Sequence, residues 1–414
     1  MKAVVLAAGR GERLWPLTED TPKPLLPIAN KSILERTCEA LVSAGVDQIL
    51  LVVGFRSEKI RDRLGKGEAA GSEIKYVKQK TAKGTADALG TCSKDLHGED
   101  RFLVLYGDDY YDSSVPRTFM AKGKKNKGIT IGTANVKDAS SFGKIQSKKG
   151  LVTEIREKDS KTEPGQVNAG IYLMDQSIFT AIRKTKRSIR GELELTDAVR
   201  ILIKEGNQVH AQPLGSAKWL GISYPWDMLE ANQWILESQK AVSKGTIEKG
   251  VHISGSLVLE EGSVVKAGSY LEGPIHVGEK CMVGPNSYLR PYSTLGDSVK
   301  VGAGCEVKNS IIMKNSRVPH LSYVGDSVLG EGCHLGAGTI TANLRFDEAV
   351  IKTRVRGVWV NSGRKKLGTI LGDGAQTGIN VSIFPGVKIG RGAWIGPGAV
   401  VDRDVPSNAR YKAS

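Results

Sequence analysis

The chain has 414 residues, 40% of them hydrophobic, and its 59 Lys and Arg outnumber its 44 Asp and Glu, which gives a net charge of +15. This length suggests two or three domains, and the hydrophobic content is typical of a globular protein with complete cores. The apolar runs are too short to cross a membrane, and the apolar start at residues 1–6 is too short for a signal peptide. We therefore expect a soluble, cytoplasmic protein without a membrane partner.

The positive charge is spread along the chain, with its densest clusters at residues 122–127 and 354–366. Neither cluster has the interleaved aromatic residues of a single-strand binder, which argues against a nucleic-acid partner. Two interpretations remain, a solvated surface or the attraction of phosphorylated and CoA substrates, and we favour the second. The five cysteines show no CxxC spacing, so neither a disulfide framework nor a zinc site is expected.

Residues 1 to about 225 alternate between strand and helix patterns. Apolar runs predict strands, and helical spacing predicts a helix that Gly45 stops and a second helix further on. The predicted strands are residues 1–6, 49–53, 74–77 and 102–106, and the predicted helices are 33–43 and 60–64. This alternation implies right-handed crossovers and a mostly parallel sheet, in which ligands bind at the carboxyl ends of the strands.

The first strand is followed by Ala7-Ala8-Gly9-Arg10-Gly11-Glu12-Arg13, and Pro22-Lys23-Pro24 comes about ten residues later. Small residues and glycine let a phosphate approach backbone N–H groups, and Arg13 and Lys23 offer cations to a polyphosphate. A lone Gly-x-Gly is a weak signal, because a tight turn after any strand looks similar. The dinucleotide fingerprint is excluded, since it needs a third glycine at the helix start.

Two further strand ends carry polar side chains suited to a nucleotide. Gln79 can donate to and accept from a pyrimidine edge, and Gly84-Thr85 permits a close backbone approach. Asp108 follows the strand 102–106, and a carboxylate beside a triphosphate is a natural Mg²⁺ ligand. The alternative for Asp108 alone is an ordinary turn residue.

These motifs together resemble those of the sugar-1-phosphate nucleotidyltransferases, which join a nucleoside triphosphate to a sugar phosphate. The resemblance implies a Rossmann-like α/β domain and gives roles to residues of each segment. It implies catalytic cations at Arg13 and Lys23, nucleotide contacts at Leu6, Ala8, Gly9, Gly11, Gln79, Gly84 and Thr85, and sugar-phosphate contacts at Gly143, Glu157, Asn168 and Gly170. Asp108 is the implied metal ligand.

One segment departs from the family pattern. Relatives carry Asp-Ile-Gly before Pro-Trp, and that Asp is a second metal ligand, whereas this chain has Gly221-Ile222-Ser223-Tyr224-Pro225-Trp226-Asp227. Metal binding then rests on Asp108, phosphates and water, or Asp227 compensates.

The second half of the chain follows a six-residue period. Every sixth residue from Ile247 to Met313 is apolar, glycine often follows directly, and the period returns near the end of the chain. Short strands with a turn every six residues explain this, and the pattern resembles the left-handed parallel β-helix of hexapeptide-repeat acyltransferases. We expect a nucleotidyltransferase domain at 1–227, a connecting helix and linker at 228–246 and a β-helix at 247–414. The phase is predicted to slip between Met313 and Leu329, with an insert at about 344–366.

The slip and its surroundings resemble the acetyltransferase half of the bifunctional glucosamine-1-phosphate N-acetyltransferase/N-acetylglucosamine-1-phosphate uridylyltransferase family. The resemblance extends over nearly the whole chain. An amino sugar is protonated at neutral pH and needs a base before it can attack a thioester, which suits His320. The implied amino-sugar-phosphate contacts are Arg290, Lys308, Tyr323 and Asn343, and the implied acetyl-CoA contacts are Lys352 and Arg364. Position 334 is His where bacterial relatives carry Asn, and the insert is longer than theirs.

The resemblance implies a Mg²⁺-dependent enzyme that uses UTP, sugar 1-phosphates and acetyl-CoA to make UDP-N-acetylglucosamine, and a homotrimer. Two alternatives stay open. One is a monofunctional glucose-1-phosphate uridylyl- or thymidylyltransferase whose β-helix only assembles subunits, and the other is a regulatory subunit. The choice between UTP and dTTP, and between glucosamine, galactosamine and glucose, is not fixed by these residues.

Overall fold

The computed structural model describes residues 1–65, 71–157, 163–215 and 218–412. These residues form two compact units. The first contains Met1–Arg10, Pro22–Leu25 and Ser32–Ile222, and the second contains Gly11–Thr21, Leu26–Lys31 and Ser223–Ser414. The functional division at 1–227, 228–246 and 247–414 stays a prediction, and two short segments of the predicted first domain group with the second unit. No helix in the described parts of the chain is long and apolar enough to cross a membrane.

The part of the chain before residue 240 alternates strands and helices as predicted. Its strands are β1 (Lys2–Ala7), β2 (Pro27–Ile28), β3 (Lys31–Ser32), β4 (Gln48–Val53), β5 (Glu73–Lys78), β6 (Phe102–Tyr106), β7 (Asp109–Tyr111), β8 (Ile129–Val136), β9 (Lys144–Lys148), β10 (Leu151–Arg156), β11 (Gly165–Met174), β12 (Val209–Pro213) and β13 (Trp219–Gly221). Its α-helices are α1 (Ile33–Ser43), α2 (Ser57–Leu64), α3 (Thr85–Gly90), α4 (Val115–Gly123), α5 (Ser177–Lys184), α6 (Leu195–Lys204) and α7 (Asp227–Ser238), and Glu12–Leu14 and Lys23–Leu25 are 3₁₀ turns.

The first unit is built on a sheet in the order β5-β4-β1-β6-β11-β8-β12-β10-β9. The strands β5, β4, β1 and β6 are parallel, as is the β8–β12 pair, while β11 is antiparallel to both β6 and β8. The sheet is therefore a Rossmann-like parallel half joined to an antiparallel half, which is a more mixed sheet than predicted.

Alternate residues of β1 enter two different cores, because successive side chains of a strand point to opposite faces. Val5 packs with Leu34 and Leu41 of α1, and Val4 packs with Phe179 of α5 on the other face. Since both faces of the sheet are covered, β1 reads as a continuous apolar run, as parallel strands in α/β proteins do.

The second half of the chain consists of short parallel strands that stack coil upon coil, and it forms a left-handed parallel β-helix. One face contains β14 (Val242–Ser243), β17 (Leu257–Leu259), β20 (Ile275–Val277), β23 (Ser293–Leu295), β26 (Ile311–Ile312), β29 (Val328–Leu329), β33 (Ile370–Leu371) and β36 (Lys388–Ile389). The next contains β15 (Thr246–Ile247), β18 (Val264–Val265), β21 (Met282–Val283), β24 (Lys300–Val301) and β27 (Arg317–Val318), continued by β34 (Gln376–Thr377), β37 (Trp394–Ile395) and β39 (Arg410–Tyr411). The third, which we call the ladder face, contains β16 (His252–Ser254), β19 (Tyr270–Glu272), β22 (Tyr288–Leu289), β25 (Glu306–Lys308), β28 (Tyr323–Gly325), β30 (Ile340–Thr341), β35 (Ser382–Ile383) and β38 (Val400–Val401).

The six-residue period identifies the interior of the β-helix, and the predicted phase slip is present but begins earlier along the chain than predicted. Every sixth residue from Leu259 to Val307 is buried in one continuous core. The next interior residue is Ile312, because Leu295 pairs with Ile312 and that coil is one residue shorter. The slip therefore begins before Met313, and a second five-residue step follows from Val324 to Leu329.

The predicted insert is an antiparallel hairpin of β31 (Lys352–Val355) and β32 (Val358–Asn361). It leaves the stack where Leu344 bridges Lys366, at the predicted limits. The hydroxyl of Thr353 donates to the Gly386 carbonyl at 2.7 Å, which ties the hairpin to the next coil.

All five cysteines are buried, and burial raises the pKa of their thiols. The raised pKa reaches about 12 for Cys38, Cys92 and Cys333 and about 11 for Cys281. The thiolate is the reactive form, so at pH 8 the folded protein should react negligibly with a disulfide reagent such as Ellman's reagent. Five thiols per chain should react after denaturation. Rapid release of the reagent's coloured thiolate by the native protein would contradict the burial of at least one cysteine.

Candidate active sites

The predicted catalytic cation Lys23 and the predicted metal ligand Asp108 form an ion pair. The Nζ of Lys23 donates to Oδ2 of Asp108 at 2.7 Å, and Lys23 is only 7% exposed. A buried ammonium group requires a charged or strongly polar partner, so this pair fixes Lys23 beside the carboxyl end of β6. The side chain of Asp108 is 39% exposed, which keeps the carboxylate accessible to an incoming ligand.

The predicted base-binding residues lie together beside the end of β5. Nε2 of Gln79 donates to the Gly84 carbonyl at 3.1 Å and to Oδ2 of Asp87 at 2.9 Å. Gly84 has φ +116°, and a Cβ there would lie 2.4 Å from the carbonyl oxygen of Leu193. Glycine is therefore required at this position. Asp87, which the sequence interpretation had not assigned, fixes the amide orientation of Gln79.

The predicted phosphate loop is divided between the two units. Leu6 and Ala8 are buried and Gly9 is exposed in the first unit, with open space around Gly9 for a ligand. Gly11 and Arg13 belong to the second unit, so their arrangement is described separately. Gly11 has φ +69°, and its carbonyl accepts from the backbone N–H of Leu14 and the hydroxyl of Thr18, each at 2.9 Å.

The guanidinium of Arg13 lies over the ring of Tyr224, 5.5 Å from its centroid, and that ring stacks on Trp226. Oδ2 of Asp227 accepts from the backbone N–H groups of Ser223 and Tyr224. These bonds hold the turn that supports Arg13. A metal-binding role for Asp227 remains a prediction.

The space in which a side chain at position 221 would lie is occupied by the ring of Phe142. A Cβ there would lie 2.4 Å from the ring of Phe142, so an acidic side chain could not enter without displacing that ring. Gly221 pairs with Asp109 across β13 and β7, and Asp109 accepts from the indole N–H of Trp219 at 3.3 Å. Within the described residues no group of three or more His, Cys, Asp or Glu could hold a metal.

The predicted sugar residues form one polar cluster in the first unit. Glu157 accepts from the hydroxyl of Thr196 at 2.6 Å. The carbonyl of Gly143 accepts from the Asn168 N–H at 2.8 Å, and Oδ1 of Asn168 accepts from the Gly170 N–H at 3.0 Å. The structure thus brings Gly143, which precedes β9, next to Asn168 and Gly170 of β11, with Glu157 close to the start of α6.

Two charged residues of this cluster were missed by the sequence interpretation. Arg190 contacts Glu194 at 2.6 Å and Glu157 at 3.6 Å. Burial and the neighbouring Glu157 charge raise the pKa of Glu194. The spacing along the chain gives no sign that Glu194 faces Glu157.

Gly170 is held by the tyrosines that close the cluster. It has φ +65°, and a Cβ there would lie 2.7 Å from the Tyr106 ring and 2.9 Å from the Tyr111 hydroxyl. The hydroxyl groups of Tyr106 and Tyr172 are 3.1 Å apart, and burial raises the pKa of both.

In the β-helix, the predicted amino-sugar residues lie on the ladder face around a buried carboxylate. Asp326 is 2% exposed, and its Oδ2 accepts from Lys308 at 3.1 Å and from Asn343. Oδ1 of Asp326 accepts from Asn309 at 2.7 Å. Asn343 also donates to the hydroxyl of Tyr323 at 3.1 Å. Asp326 was not assigned from the sequence, yet it orients two of the predicted contacts.

Arg290 lies one coil away from Lys308. Its Nη1 donates to Glu306 at 2.9 Å, while its Nε has no hydrogen-bond partner. This Nε is buried and offers no donor to a ligand. The role of Arg290 and Lys308 as phosphate contacts stays a prediction.

His320 lies in the turn before β28, and its side chain is exposed. Its backbone carbonyl accepts from the Ser322 hydroxyl at 2.7 Å and from the Gly338 N–H at 3.2 Å. These bonds fix the backbone of the turn and leave the imidazole accessible to a substrate. Tyr323, three residues later, begins β28 and pairs with Glu306 of β25.

The predicted acetyl-CoA contacts lie in the insert. Lys352 is exposed on β31, and Arg364 lies partly exposed after β32 with its Nε donating to the Lys366 carbonyl at 3.4 Å. The guanidinium of Arg354 lies over the exposed ring of Trp359, 5.2 Å from its centroid. The insert thus presents basic groups on a defined hairpin, and its role stays a prediction.

Protein-family models match both halves of the chain. The nucleotidyl transferase family model matches residues 2–238. The model of the GMPPB C-terminal domain matches residues 271–378, and that of the hexapeptide repeat of succinyl-transferase matches residues 368–403. The chain thus combines a nucleotidyl transferase with a hexapeptide-repeat β-helix.

Characterised relatives match the chain from end to end. The bifunctional protein GlmU of Methanocaldococcus jannaschii is 43% identical over 99% of this chain and 96% of its own length. The bifunctional sugar-1-phosphate nucleotidylyltransferase/acetyltransferase of Sulfurisphaera tokodaii is 40% identical over 100% of both chains. The chain belongs to this family of bifunctional sugar-1-phosphate nucleotidylyltransferases/acetyltransferases.

A solved structure gives the same result for the first half. A Bacillus anthracis chain assigned as a glucose-1-phosphate thymidylyltransferase is 31% identical, with a TM-score of 0.51, over 56% of this chain and 94% of its own. A UDP-glucose pyrophosphorylase at 23% identity and TM-score 0.50 shares the fold.

Two substitutions distinguish the cost of the positive φ at Gly170 from the cost of a clash between its Cβ and Tyr106. Gly170→Ala should lower the free energy of unfolding by about 2–4 kcal/mol, because the new Cβ adds a clash with Tyr106 to the cost of positive φ. Gly150→Ala is the matched control, since Gly150 has φ +80° and open space around it, and should cost about 1 kcal/mol. Thermal melting of both variants tests this. Equal shifts would show that Tyr106 moves aside.

Proposed function

We propose that the chain synthesises UDP-N-acetylglucosamine in two reactions, acetylation of glucosamine 1-phosphate with acetyl-CoA and uridylyl transfer from UTP to the resulting sugar phosphate. The supporting observation is that one chain carries two separate polar clusters. The first pairs Lys23 with Asp108 at a strand end, and the second gathers Lys308, Asn343 and Tyr323 around Asp326. A chain whose β-helix only assembled subunits would not need the second cluster.

In acetyl transfer, the amine nitrogen of the sugar attacks the thioester carbonyl carbon. The C–S bond breaks, the CoA thiolate leaves, and the amine loses its proton. His320 is exposed in the turn before β28 and takes this proton as general base. Arg290 and Lys308 hold the sugar phosphate, and Tyr323 and Asn343 orient the sugar.

In uridylyl transfer, a phosphate oxygen of the sugar 1-phosphate attacks the α-phosphorus of UTP and pyrophosphate leaves. Gln79 recognises the uracil edge, and Glu157, Asn168 and the backbone at Gly170 hold the sugar. Lys23 is fixed beside the strand end, where its charge stabilises the developing negative charge on the phosphates.

The donor set around Asp108 fits Mg²⁺, which binds one or two carboxylates together with phosphate oxygens and water. Asp108 would hold the ion, which supplies charge neutralisation of the triphosphate when bound. Gly221 removes the usual second carboxylate, so the nucleotide phosphates must provide more of the ligands. We further propose a cytoplasmic homotrimer, on the resemblance of the β-helix to trimeric acyltransferases.

The acetyltransferase reaction is tested by CoA release from acetyl-CoA and glucosamine 1-phosphate. His320→Ala should lower kcat by about 10²–10⁴-fold, because a general base contributes that much, while pyrophosphate release from UTP is retained. His97→Ala removes an exposed histidine of the first unit and should leave both activities unchanged. Absence of CoA release from folded wild-type protein would refute the bifunctional proposal and favour an assembly role for the β-helix.

The reverse separation is expected at Lys23. Lys23→Met should lower uridylyl transfer by about 10²-fold or more, because it removes a fixed cation beside the phosphates, and should leave CoA release unchanged. Lys122→Met, at an exposed lysine of α4, is the matched control. Pyrophosphate release would be measured by a coupled phosphate assay. Retained uridylyl transfer in Lys23→Met would remove Lys23 from the proposed site.

Metal removal should also separate the two reactions. Excess EDTA should abolish uridylyl transfer and leave acetyl transfer unchanged, because only the triphosphate requires Mg²⁺. Adding back Mg²⁺ should restore the first activity. A parallel loss of CoA release would contradict the assignment of the metal to Asp108 alone.

A further inference from the structure

The ladder face continues beyond the acetyl-transfer site as an aromatic column. In register from coil to coil, His252 pairs with Tyr270, Tyr270 with Tyr288, Tyr288 with Glu306 and Glu306 with Tyr323. Neighbouring strands lie about 4.8 Å apart, so these side chains form a continuous outward row. Tyr323, a predicted amino-sugar contact, is at one end of this row, and His252 and Tyr270 are at the other end.

A second column runs beside the first, two residues further along each strand. Ser254 pairs with Glu272, and the same register carries Arg290 and Lys308 in the next two coils. The sequence of charges along this column is neutral, negative, positive, positive. Arg290 and Lys308 are the predicted phosphate contacts, so Glu272 lies about one coil beyond the phosphate.

The aromatic side chains contact each other and Arg290. His252 stacks on Tyr270 with a centroid distance of 4.6 Å, and Tyr270 meets Tyr288 edge-on at 5.4 Å. The guanidinium of Arg290 lies 5.6 Å from the centroid of the Tyr288 ring. The row is nevertheless open to solvent, since Tyr270 is 40% exposed. His252 and Tyr288 cover the two faces of the Tyr270 ring, so a planar ligand would contact its outward edge.

A groove of about 470 Å³ lies beside the rings of Tyr270 and Tyr288. It is lined by Gly268, Tyr270, Glu272, Asn286, Ser287 and Tyr288. Oε2 of Glu272 accepts from the hydroxyl of Tyr288 at 2.6 Å, which fixes the carboxylate at the groove wall. A fixed carboxylate there suits the hydroxyl groups of a ribose.

We propose that this groove holds the nucleoside of a nucleotide-activated amino sugar, so that the β-helix acetylates UDP-glucosamine as well as glucosamine 1-phosphate. The inference rests on the acetyltransferase activity proposed above. The order of groups on the ladder face matches the order of groups in such a substrate. The amino sugar lies near His320 and Tyr323, the diphosphate at Lys308 and Arg290, the ribose at Glu272, and the base against the outward edge of Tyr270 in the groove.

The chemical step is the one already described, since the amine attacks the thioester and CoA leaves with the nucleotide intact. A class of reaction that forms nucleotide-activated amino sugars must then supply this substrate, and the nucleotidyl transfer of the first half is one such reaction. The two activities of the chain could therefore operate in either order.

The test compares CoA release with glucosamine 1-phosphate and with UDP-glucosamine as acceptors. Wild-type protein should use both. Tyr270→Ala should lower kcat/KM for UDP-glucosamine by about 10-fold, because it removes the aromatic edge that contacts the base. The same variant should leave kcat/KM for glucosamine 1-phosphate within twofold. Tyr270→Phe is the conservative control and should retain most of the activity with UDP-glucosamine.

Three outcomes would overturn the proposal. Wild-type protein that acetylates glucosamine 1-phosphate but not UDP-glucosamine would exclude the nucleotide acceptor. A raised KM for acetyl-CoA with both acceptors in Tyr270→Ala would assign the groove to the nucleotide of CoA instead. A change in the molar mass of Tyr270→Ala by light scattering would show a subunit contact.

A binding measurement tests whether the groove holds the nucleotide sugar independently of whether the chain transfers acetyl groups. Titration calorimetry with UDP-glucosamine should detect two sites per wild-type chain, one in each half, and one site in Tyr270→Ala. If no CoA is released with either acceptor, the acetyltransferase proposal fails, and the number of sites still decides the groove. A single site in wild-type protein would refute it.

Discussion

Parallel backbone pairing between residues one coil apart is the constraint on which the C-terminal half depends. Once Leu289 pairs with Val307, and Val307 with Val324, every outward side chain on that face has a fixed neighbour about 4.8 Å away. The one-residue shortening between Val307 and Ile312 preserves this pairing from coil to coil. The charged and aromatic residues of the ladder face are aligned by this pairing and need no long connecting loops.

The two clusters solve the same problem in different ways. Each holds a lysine ammonium group that is largely shielded from water, and such a cation is costly unless it is paired. In the first half Lys23 is paired with the accessible Asp108, a carboxylate that also suits a metal ion. In the second half Lys308 is paired with the buried Asp326, which two asparagines also contact. A metal ion has access to the first carboxylate only, which agrees with a metal requirement for one reaction and not the other.

The loss of an acidic residue at Gly221 is coupled to the packing of the first unit. The space that an aspartate would occupy is filled by the ring of Phe142, which packs edge-on against Trp219 at 5.4 Å. The substitution is therefore not an isolated deletion of a ligand. Reintroducing the carboxylate would require a smaller residue at position 142 as well, because two groups cannot share the space.

The sequence by itself determined the class of each half, because its signals are local. A period of six predicts the interior of a β-helix, and small residues after a strand predict a phosphate turn; the limits of the insert and of α1 also followed from local patterns. Only the tertiary structure decided the partners. Arg190 meets Glu157 although no spacing along the chain specifies this contact. Asp326 follows Lys308 by about one coil, but only the stacked coils show that the two side chains form an ion pair. The five-residue step to Ile312 was also invisible, because Met313 beside it is apolar too, and only the pairing of whole coils distinguishes the two.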